Sequence, residues 1–267
     1  MKKYLVIGNP IGHSLSPVLH NYWIVKNKIK ARYEKKLIKE QELENIISRL
    51  RSKELDGINV TVPFKTKVVE FMDNMTEEAI STNSVNTVYL KNEKIIGHNT
   101  DIAGFELGIR SYGYDIKKKK IFIFGAGGVV PSIIVALKRM GALKIYLYNR
   151  TLSKSENLKK LFNDIEIIDK ENIPQDTDMI INASSLGINR SDKIDIDYEK
   201  IGTNKFYYDV IYNPPETKFL TEAKKLGNKT ENGKKMFIYQ AHQSFAIWHN
   251  VLPKIDEGVE RLFNKND

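Results

Sequence analysis

The 267-residue sequence contains no cysteine, which excludes disulfide bonds and thiol catalysis. A chain of this kind fits a reducing compartment, and we expect a cytoplasmic location. Long apolar runs are also missing, since no stretch approaches the roughly 20 residues that span a bilayer. No apolar signal region precedes the strand-like residues that begin at Tyr4. We therefore expect no membrane partner.

Acidic residues are outnumbered, with 33 Asp and Glu against 42 Lys and Arg and a net charge of +9. The lysines are spread along the chain, and the one dense run, residues 117–120, is typical of a solvated loop. We therefore expect no nucleic-acid partner. A basic balance also suits small anionic ligands. The histidine spacings do not match a helical metal site, so no metal is predicted.

Residues 121–151 have the pattern of a strand, a tight turn, a helix and a second strand. The turn contains Gly125, Gly127 and Gly128, which let the chain bend sharply and approach a pyrophosphate closely. The helix that follows points unpaired N–H groups at that anion. Val130 stands where a third Gly or an Ala is usual, so the glycine pattern alone is a weak signal.

The residues after the second strand of this unit indicate which dinucleotide binds. An NAD site usually carries Asp or Glu at this point, to bond the ribose 2′-hydroxyl. Here the chain has Asn149, Arg150 and Thr151, with Lys154 one turn later. An amide, a hydroxyl and two cations favour a 2′-phosphate, which a carboxylate would repel. The sequence therefore predicts NADP(H).

The loop over residues 8–17 follows a predicted strand and is rich in Gly, Pro and Ser. Ligands collect at the carboxyl ends of strands in open α/β sheets. Ser16 precedes Pro17 and an apolar run, so a helix N-cap is its better interpretation. Ser14 could cap the chain locally or bind a carboxylate, and its role stays open.

Three polar residues in the N-terminal half have an unusual setting. Lys65 follows a short buried strand at residues 57–62 and is predicted in the first turn of a helix, where the macrodipole disfavours a cation. This makes it a candidate acid/base, although a solvated lysine is common. Asn86 is predicted inside a hairpin strand, where Asn is disfavoured. Asp101 is predicted to cap a helix beside a ligand site.

Taken together, the motifs SLSP (14–17), NVTVPFK (59–65), VNT (85–87), NTD (99–101), GAGG (125–128), NRT (149–151) and YDVIYNPPET (208–217) occur in an order that resembles shikimate dehydrogenase. The similarity runs nearly from end to end. It implies an α/β fold with two domains and a central cleft. The substrate domain would comprise residues 1–101 and 237–267, and an inserted Rossmann-type NADP domain residues 102–236.

The resemblance also implies roles for individual residues. Lys65 and Asp101 would be the catalytic pair. Ser14 and Ser16 would hold the substrate carboxylate. Ring hydroxyls would be bound by Thr61, Asn86 and Gln240, with Tyr212 nearby. The cofactor would contact the loop formed by Gly125, Ala126, Gly127, Gly128 and Val129, the 2′-phosphate group Asn149, Arg150, Thr151 and Lys154, and, beside the nicotinamide, Val210 and Gly233.

The implied reaction is the reversible NADPH-dependent reduction of 3-dehydroshikimate to shikimate, a step in chorismate and aromatic amino acid biosynthesis. Two alternatives remain from the residues alone. One is a quinate/shikimate dehydrogenase that uses NAD or NADP, and the other is a non-catalytic nucleotide sensor on the same fold. A homodimer is a further expectation.

Overall fold

The computed structural model describes residues 1–189 and 191–263. The chain divides into two compact units. The first unit comprises Met1–Gly104 and the chain from Ile238 onward, and the second unit comprises Phe105–Phe237. Each unit is built around its own six-stranded sheet.

The sheet of the first unit is mixed. Its strands are β1 (Lys2–Gly8), β2 (Ala31–Leu37), β3 (Gly57–Val60), β4 (Asn74–Met75), β5 (Thr87–Lys91) and β6 (Lys94–His98). They lie in the order β2-β1-β3-β5-β6-β4, with β1 parallel to both β2 and β3 and with β5 antiparallel to β3 and β6. β3 is buried along its whole length, including the polar side chain of Asn59.

The sheet of the second unit is parallel throughout. Its strands are β7 (Lys120–Phe124), β8 (Lys144–Tyr148), β9 (Glu166–Ile167), β10 (Met179–Asn182), β11 (Phe206–Asp209) and β12 (Lys229–Asn232). The order is β12-β11-β10-β7-β8-β9. Numbered within the unit, this is the order 3-2-1-4-5-6 read from the other edge, which is that of the dinucleotide-binding fold. The order reverses between β7 and β10, where such folds bind their ligand.

Helices cover the sheets and carry the chain between strands. They are α1 (Ser16–Lys26), α2 (Leu43–Arg51), α3 (Glu77–Thr82), α4 (Asp101–Ser111), α5 (Val130–Arg139), α6 (Leu152–Leu161), α7 (Tyr198–Ile201), α8 (Lys218–Lys225), α9 (Lys234–His249) and α10 (Glu257–Leu262). α2 buries Leu43, Ile46, Ile47 and Leu50 on one face, as its apolar period predicts. The chain is non-helical between α9 and α10, around Pro253.

The structure differs from the predicted elements at several places. The helical period after residue 65 belongs to a 3₁₀ helix over Lys67–Phe71 rather than to an α-helix. Strand β3 ends at Val60, two residues earlier than predicted, and β5 begins at Thr87. Short elements with little apolar pattern, β4, α7 and β12, were not predicted, because two to four residues show no reliable period.

A cluster of aromatic rings in the first unit encloses a buried histidine. The His20 ring is 1% exposed and stacks on Tyr33 with ring centroids 4.2 Å apart, while Trp23, Phe245 and Trp248 surround it. Neither ring nitrogen has a hydrogen-bond partner. Burial lowers the pKa of His20 to about 3, and repulsion from His249 adds to the shift. The folded protein therefore keeps this imidazole neutral.

The buried imidazole predicts an acid-sensitive fold. Below its ordinary pKa of 6.5 the unfolded chain takes up a proton that folded His20 does not accept, so stability falls as the pH decreases. At pH 5 this histidine alone should cost about 2 kcal/mol. Between pH 8 and pH 5, the free energy of unfolding should fall by about 2 kcal/mol less in His20→Phe than in wild type, as measured by urea unfolding.

Ile24→Val provides the control, because Ile24 is buried on the same helix and does not titrate. Ile24→Val should lower the free energy of unfolding by the same amount at pH 8 and at pH 5. An unchanged pH dependence in His20→Phe would show that His20 is not the buried neutral group described here.

Candidate active site

The first unit contains a buried ion pair between two residues that are 36 positions apart in the chain. Lys65 lies in the turn after β3, and Asp101 is the first residue of α4. The Lys65 Nζ atom donates to the Asp101 Oδ2 atom over 2.6 Å. The two side chains are only 11% and 6% exposed. The structure thus brings together the two residues predicted as the catalytic pair.

The local setting of both residues differs from the prediction. Lys65 precedes the 3₁₀ helix instead of standing in the first turn of an α-helix. A helix dipole therefore does not single out this lysine; its burial against a carboxylate does. Asp101 is the first residue of α4 rather than the residue before it. Its N–H donates to Asn99 Oδ1 over 3.0 Å, and its carboxylate accepts hydrogen bonds from Lys65 and Asn86.

Asn86 fixes the second oxygen of the carboxylate. Its Nδ2 atom donates to Asp101 Oδ1 over 2.9 Å, and its Oδ1 atom accepts the Thr100 N–H over 2.8 Å. Asn86 is 2% exposed and lies just before β5, so the prediction that it lies inside the hairpin strand is wrong. Each oxygen of Asp101 therefore has its own partner, and the plane of the carboxylate is set.

The loop after β1 carries the two serines predicted to bind a carboxylate. Ser16 is the first residue of α1, and no side chain caps that helix, so the N-cap interpretation of Ser16 is wrong. The Ser16 N–H donates to the Ser14 Oγ atom over 3.3 Å. Ser14 is half-buried and Ser16 is buried. Both serines lie in the segment that follows the carboxyl end of β1.

The remaining predicted substrate residues are divided between the units. Thr61 follows β3 and is half-buried, with its N–H bonded to the Ile7 carbonyl over 3.0 Å. Gln240 is half-buried on α9 in the first unit. Tyr212 lies in the second unit, where its ring stacks on Phe237 with centroids 4.5 Å apart.

The glycine loop of the second unit joins β7 to α5. Gly125 has a φ of +105°, and a Cβ atom there would lie 2.7 Å from the Ala183 carbonyl oxygen, so only glycine fits. A Cβ atom on Gly127 would meet no protein atom within 4 Å. That opening matches the predicted use of Gly127 beside a ligand. Val130, the departure from the usual glycine pattern, is fully buried as the first residue of α5.

The starts of two helices in this unit suit anions. Neither α5 nor α6 has an acidic residue in its first turn or a capping side-chain hydrogen bond. No acidic residue in the first turn and no capping side chain therefore opposes an anion at either helix start. Ala126, Gly128 and Val129 complete the loop that leads into α5. This arrangement fits a pyrophosphate.

The end of β8 carries the residues predicted to bind a 2′-phosphate. Arg150, Thr151 and Lys154 are exposed around the start of α6. The Asn149 Nδ2 atom donates to the Thr151 carbonyl over 2.8 Å and so shapes the turn. The chemistry of this group, two cations with a hydroxyl and no carboxylate, fits an NADP phosphate.

Val210 and Gly233 meet at the carboxyl end of β11. A Cβ atom on Gly233 would lie 2.1 Å from the Val210 carbonyl oxygen, so glycine is required there. The segment that begins at Val210 is anchored by Asp209, which the sequence reasoning missed. The Asp209 carboxylate accepts hydrogen bonds from Thr217 (2.6 Å), Asn182 (3.0 Å) and the Ile211 N–H (3.0 Å). Burial raises the pKa of Asp209 to about 6.

Asp209 was detectable as an acid at the end of a buried strand. Its partners Asn182 and Thr217 are 27 and 8 residues away and could not be paired with it from the sequence. Across residues 1–189 and 191–263, no group of three or more His, Asp or Glu side chains is arranged to hold a metal ion. In the same ranges, no helix combines the length and the apolar character of a membrane span.

Comparisons with known proteins agree with this geometry. The family model for the shikimate dehydrogenase substrate binding domain matches residues 6–88, and the model for shikimate / quinate 5-dehydrogenase matches residues 106–199. A shikimate dehydrogenase (NADP(+)) from Pelagibacter ubique (strain HTCC1062) is 55% identical, over 98% of this chain and 99% of the relative. This chain belongs to the shikimate dehydrogenase family.

Solved structures of the shikimate dehydrogenase family share the fold. The enzyme from Aquifex aeolicus is 33% identical, with a TM-score of 0.91 over 100% of this chain and 98% of the other. Shikimate 5-dehydrogenase from Thermus thermophilus, in complex with NADP(H) and shikimate, is 27% identical, with a TM-score of 0.90 and 99% coverage of both chains. The resemblance noted in the motifs and the predicted α/β fold class are thereby confirmed.

The buried pair makes a prediction about stability. Lys65→Met should leave the Asp101 carboxylate buried without its cation and destabilise the protein by about 3 kcal/mol or more. The double variant Lys65→Met/Asp101→Asn should recover most of that loss, because no unpaired charge remains. Urea unfolding at pH 7 measures both effects.

The matched control is Lys67→Met, two residues along the same turn. Lys67 pairs with Glu40, but the two side chains are 39% and 58% exposed, so the loss should stay below about 1 kcal/mol. Equal losses in Lys65→Met and Lys67→Met would contradict the buried ion pair.

Proposed function

We propose that this chain catalyses the reversible NADPH-dependent reduction of 3-dehydroshikimate to shikimate, in chorismate and aromatic amino acid biosynthesis. The observation that carries the proposal is the buried Lys65–Asp101 pair, with its 2.6 Å bond, in a chain of this family. A binding protein needs no buried proton donor, whereas carbonyl reduction does.

Lys65 would perform the proton transfer. When bound, NADPH supplies the hydride that reduces the ring carbonyl carbon. As the carbonyl oxygen gains negative charge, the Lys65 ammonium stabilises that charge and donates a proton to it. The neutral amine then takes up a proton from solvent. In the reverse direction the amine accepts the proton of the ring hydroxyl.

Asp101 would orient the ammonium and accept a hydrogen bond from the ring hydroxyl. Its carboxylate is already held on both oxygens, by Lys65 and by Asn86, so little reorganisation is required when substrate binds. The bond to Asp101 uses one of the two amide hydrogens of Asn86. Asn86 would therefore hold Asp101 in place and also bind the ring hydroxyl that the family resemblance assigns to it.

The remaining substrate groups would be bound without taking part in the chemistry. Ser14 and Ser16 would hold the carboxylate, which the reaction leaves unchanged. Thr61, Gln240 and Tyr212 would contact ring hydroxyls. Interactions of this kind mainly lower KM, because they are equal in the ground state and the transition state.

The cofactor would be NADP(H) rather than NAD(H). Gly125, Ala126, Gly127, Gly128 and Val129 would hold the pyrophosphate, and Val210 with Gly233 would border the nicotinamide. The 2′-phosphate would be bound by Asn149, Arg150, Thr151 and Lys154. The support for this preference is the absence of a carboxylate among those four residues.

Two alternatives are less well supported. A quinate/shikimate dehydrogenase that accepts NAD would have to bind a cofactor without the 2′-phosphate beside the basic residues that follow β8. A non-catalytic nucleotide sensor would have no use for the Lys65–Asp101 pair. We also infer a cytoplasmic location, which the lack of cysteine fits, and a homodimer, which stays a prediction.

The direct test is NADP reduction at 340 nm by the purified chain, with shikimate compared against quinate and NADP compared against NAD. We expect turnover with shikimate and NADP to exceed the other combinations. Lys65→Ala should lower kcat by about 100-fold or more, because the proton donor is lost. Near wild-type kcat in that variant would exclude the proposed role, and absence of turnover in the wild type would exclude the function.

Cofactor selection predicts a second result. Arg150→Ala should raise KM for NADP by about tenfold or more and leave KM for NAD nearly unchanged, since only NADP carries the phosphate. Lys160→Ala is the control, because it removes one exposed cation from the far end of α6. Equal effects of Arg150→Ala on both cofactors would place the phosphate elsewhere.

A further inference from the structure

Four parts of the first unit meet at the hydroxyl of Ser244: α9, β3, β5 and the residue before α4. This side chain is on α9 and is fully buried. Its Oγ atom accepts a hydrogen bond from Asn59 Nδ2 of β3 over 3.1 Å. It lies 2.8 Å from Thr87 Oγ1 at the start of β5 and 3.2 Å from Thr100 Oγ1, directly before α4.

The hydroxyls around Ser244 contact Asn86 directly. Thr87 Oγ1 donates to Asn86 Oδ1 over 3.0 Å, and Thr100 Oγ1 lies within 3.1 Å of the same oxygen. Asn86 in turn donates to Asp101. A short relay of hydrogen bonds therefore runs from Ser244, through Thr87 and Asn86, to the carboxylate that holds Lys65.

Hydrogen counting shows why this relay depends on Ser244. Thr87 and Thr100 each have one hydroxyl hydrogen. The Asn59 amide nitrogen has two, and its acceptors are Ser244 Oγ, Thr87 Oγ1 and the backbone carbonyl of Asn86. Removing the Ser244 hydroxyl takes one acceptor from Asn59 and one partner from each threonine. The threonine hydroxyls can then turn, which weakens their hydrogen bonds to Asn86 Oδ1 and leaves that oxygen held mainly by the Thr100 N–H.

Ser244 is also linked to the part of α9 that is predicted to touch the substrate. Its hydroxyl lies 3.1 Å from the Gln240 carbonyl, one helical turn earlier. The contacts with β3 and β5 therefore fix the position of this turn relative to the sheet. The same hydroxyl thus bears on both Asp101 and Gln240.

We propose that Ser244 is a positioning residue that orients Asn86, and through it Asp101 and Lys65, for proton transfer. The inference rests on the proposed function, because it concerns the same pair. The Ser244 side chain is fully buried, so it would act on the proton transfer through the relay. The sequence did not single out Ser244, because the partners of a polar residue in a long helix cannot be predicted from the helical pattern.

The first experiment compares Ser244→Ala with wild type in the shikimate and NADP assay. We expect kcat to fall by about tenfold or more, because small displacements of catalytic groups are costly, while KM for NADP stays within about twofold. Ile46→Val is the control for stability, since Ile46 is a fully buried core residue of the first unit with no part in the relay. It should leave kcat unchanged.

The second experiment measures coupling. In an Asp101→Asn background, Ser244→Ala should reduce kcat by less than about twofold, because a residue that acts through Asp101 has nothing left to orient. A tenfold loss in both backgrounds would indicate a general structural role and overturn the proposal. Wild-type kcat in Ser244→Ala would also overturn it.

A third variant covers the case in which Ser244→Ala fails to fold. Thr87→Val removes the hydroxyl next along the relay with little change in volume, and it should show the same loss of kcat and the same dependence on Asp101. Unchanged kcat in Thr87→Val would overturn the relay. If the wild-type chain itself lacked turnover, the proposed function would fail instead, so the two failures are distinguishable.

Discussion

The structure depends on a charged pair that is kept away from water. A buried ammonium and a buried carboxylate each carry a desolvation cost of several kcal/mol, which only a close partner and further hydrogen bonds offset. Lys65 and Asp101 satisfy this condition because β3 and α4 deliver them to one point. Asn86 occupies the second carboxylate oxygen. The polar interior of the first unit is therefore built around this pair.

The second unit differs from the first in how its charged and polar groups are exposed. Its predicted ligand contacts are backbone N–H groups at helix starts and exposed cations after β8, with no buried ion pair among them. Such groups attract an anion that is mobile and exchanges at every turnover. The Lys65–Asp101 pair, proposed to be catalytic, would by contrast have to be in place before substrate arrives. This difference matches the division of labour between a cofactor domain and a catalytic domain.

Much of the fold could be predicted from the sequence, because α2, β7 and the glycine loop have strong periods or required glycines. The candidate pair was found through its motifs. The predictions that failed concern single side chains. Ser16 and Asp101 were expected to cap helices, but Ser16 is the first residue of α1, and the Asp101 carboxylate pairs with Lys65, 36 residues away. Asn59 and Ser244 were missed because 185 residues separate them, and no pattern in either segment predicts the hydrogen bond.

The most direct measurement of the central claim is a crystal structure of the chain with shikimate and NADP bound. The account predicts that Lys65 Nζ and one Asp101 oxygen both lie within about 2.6–3.2 Å of the same ring hydroxyl, with the bond between the two residues retained. A complex in which that hydroxyl contacts neither residue, or in which the pair has separated, would contradict the account.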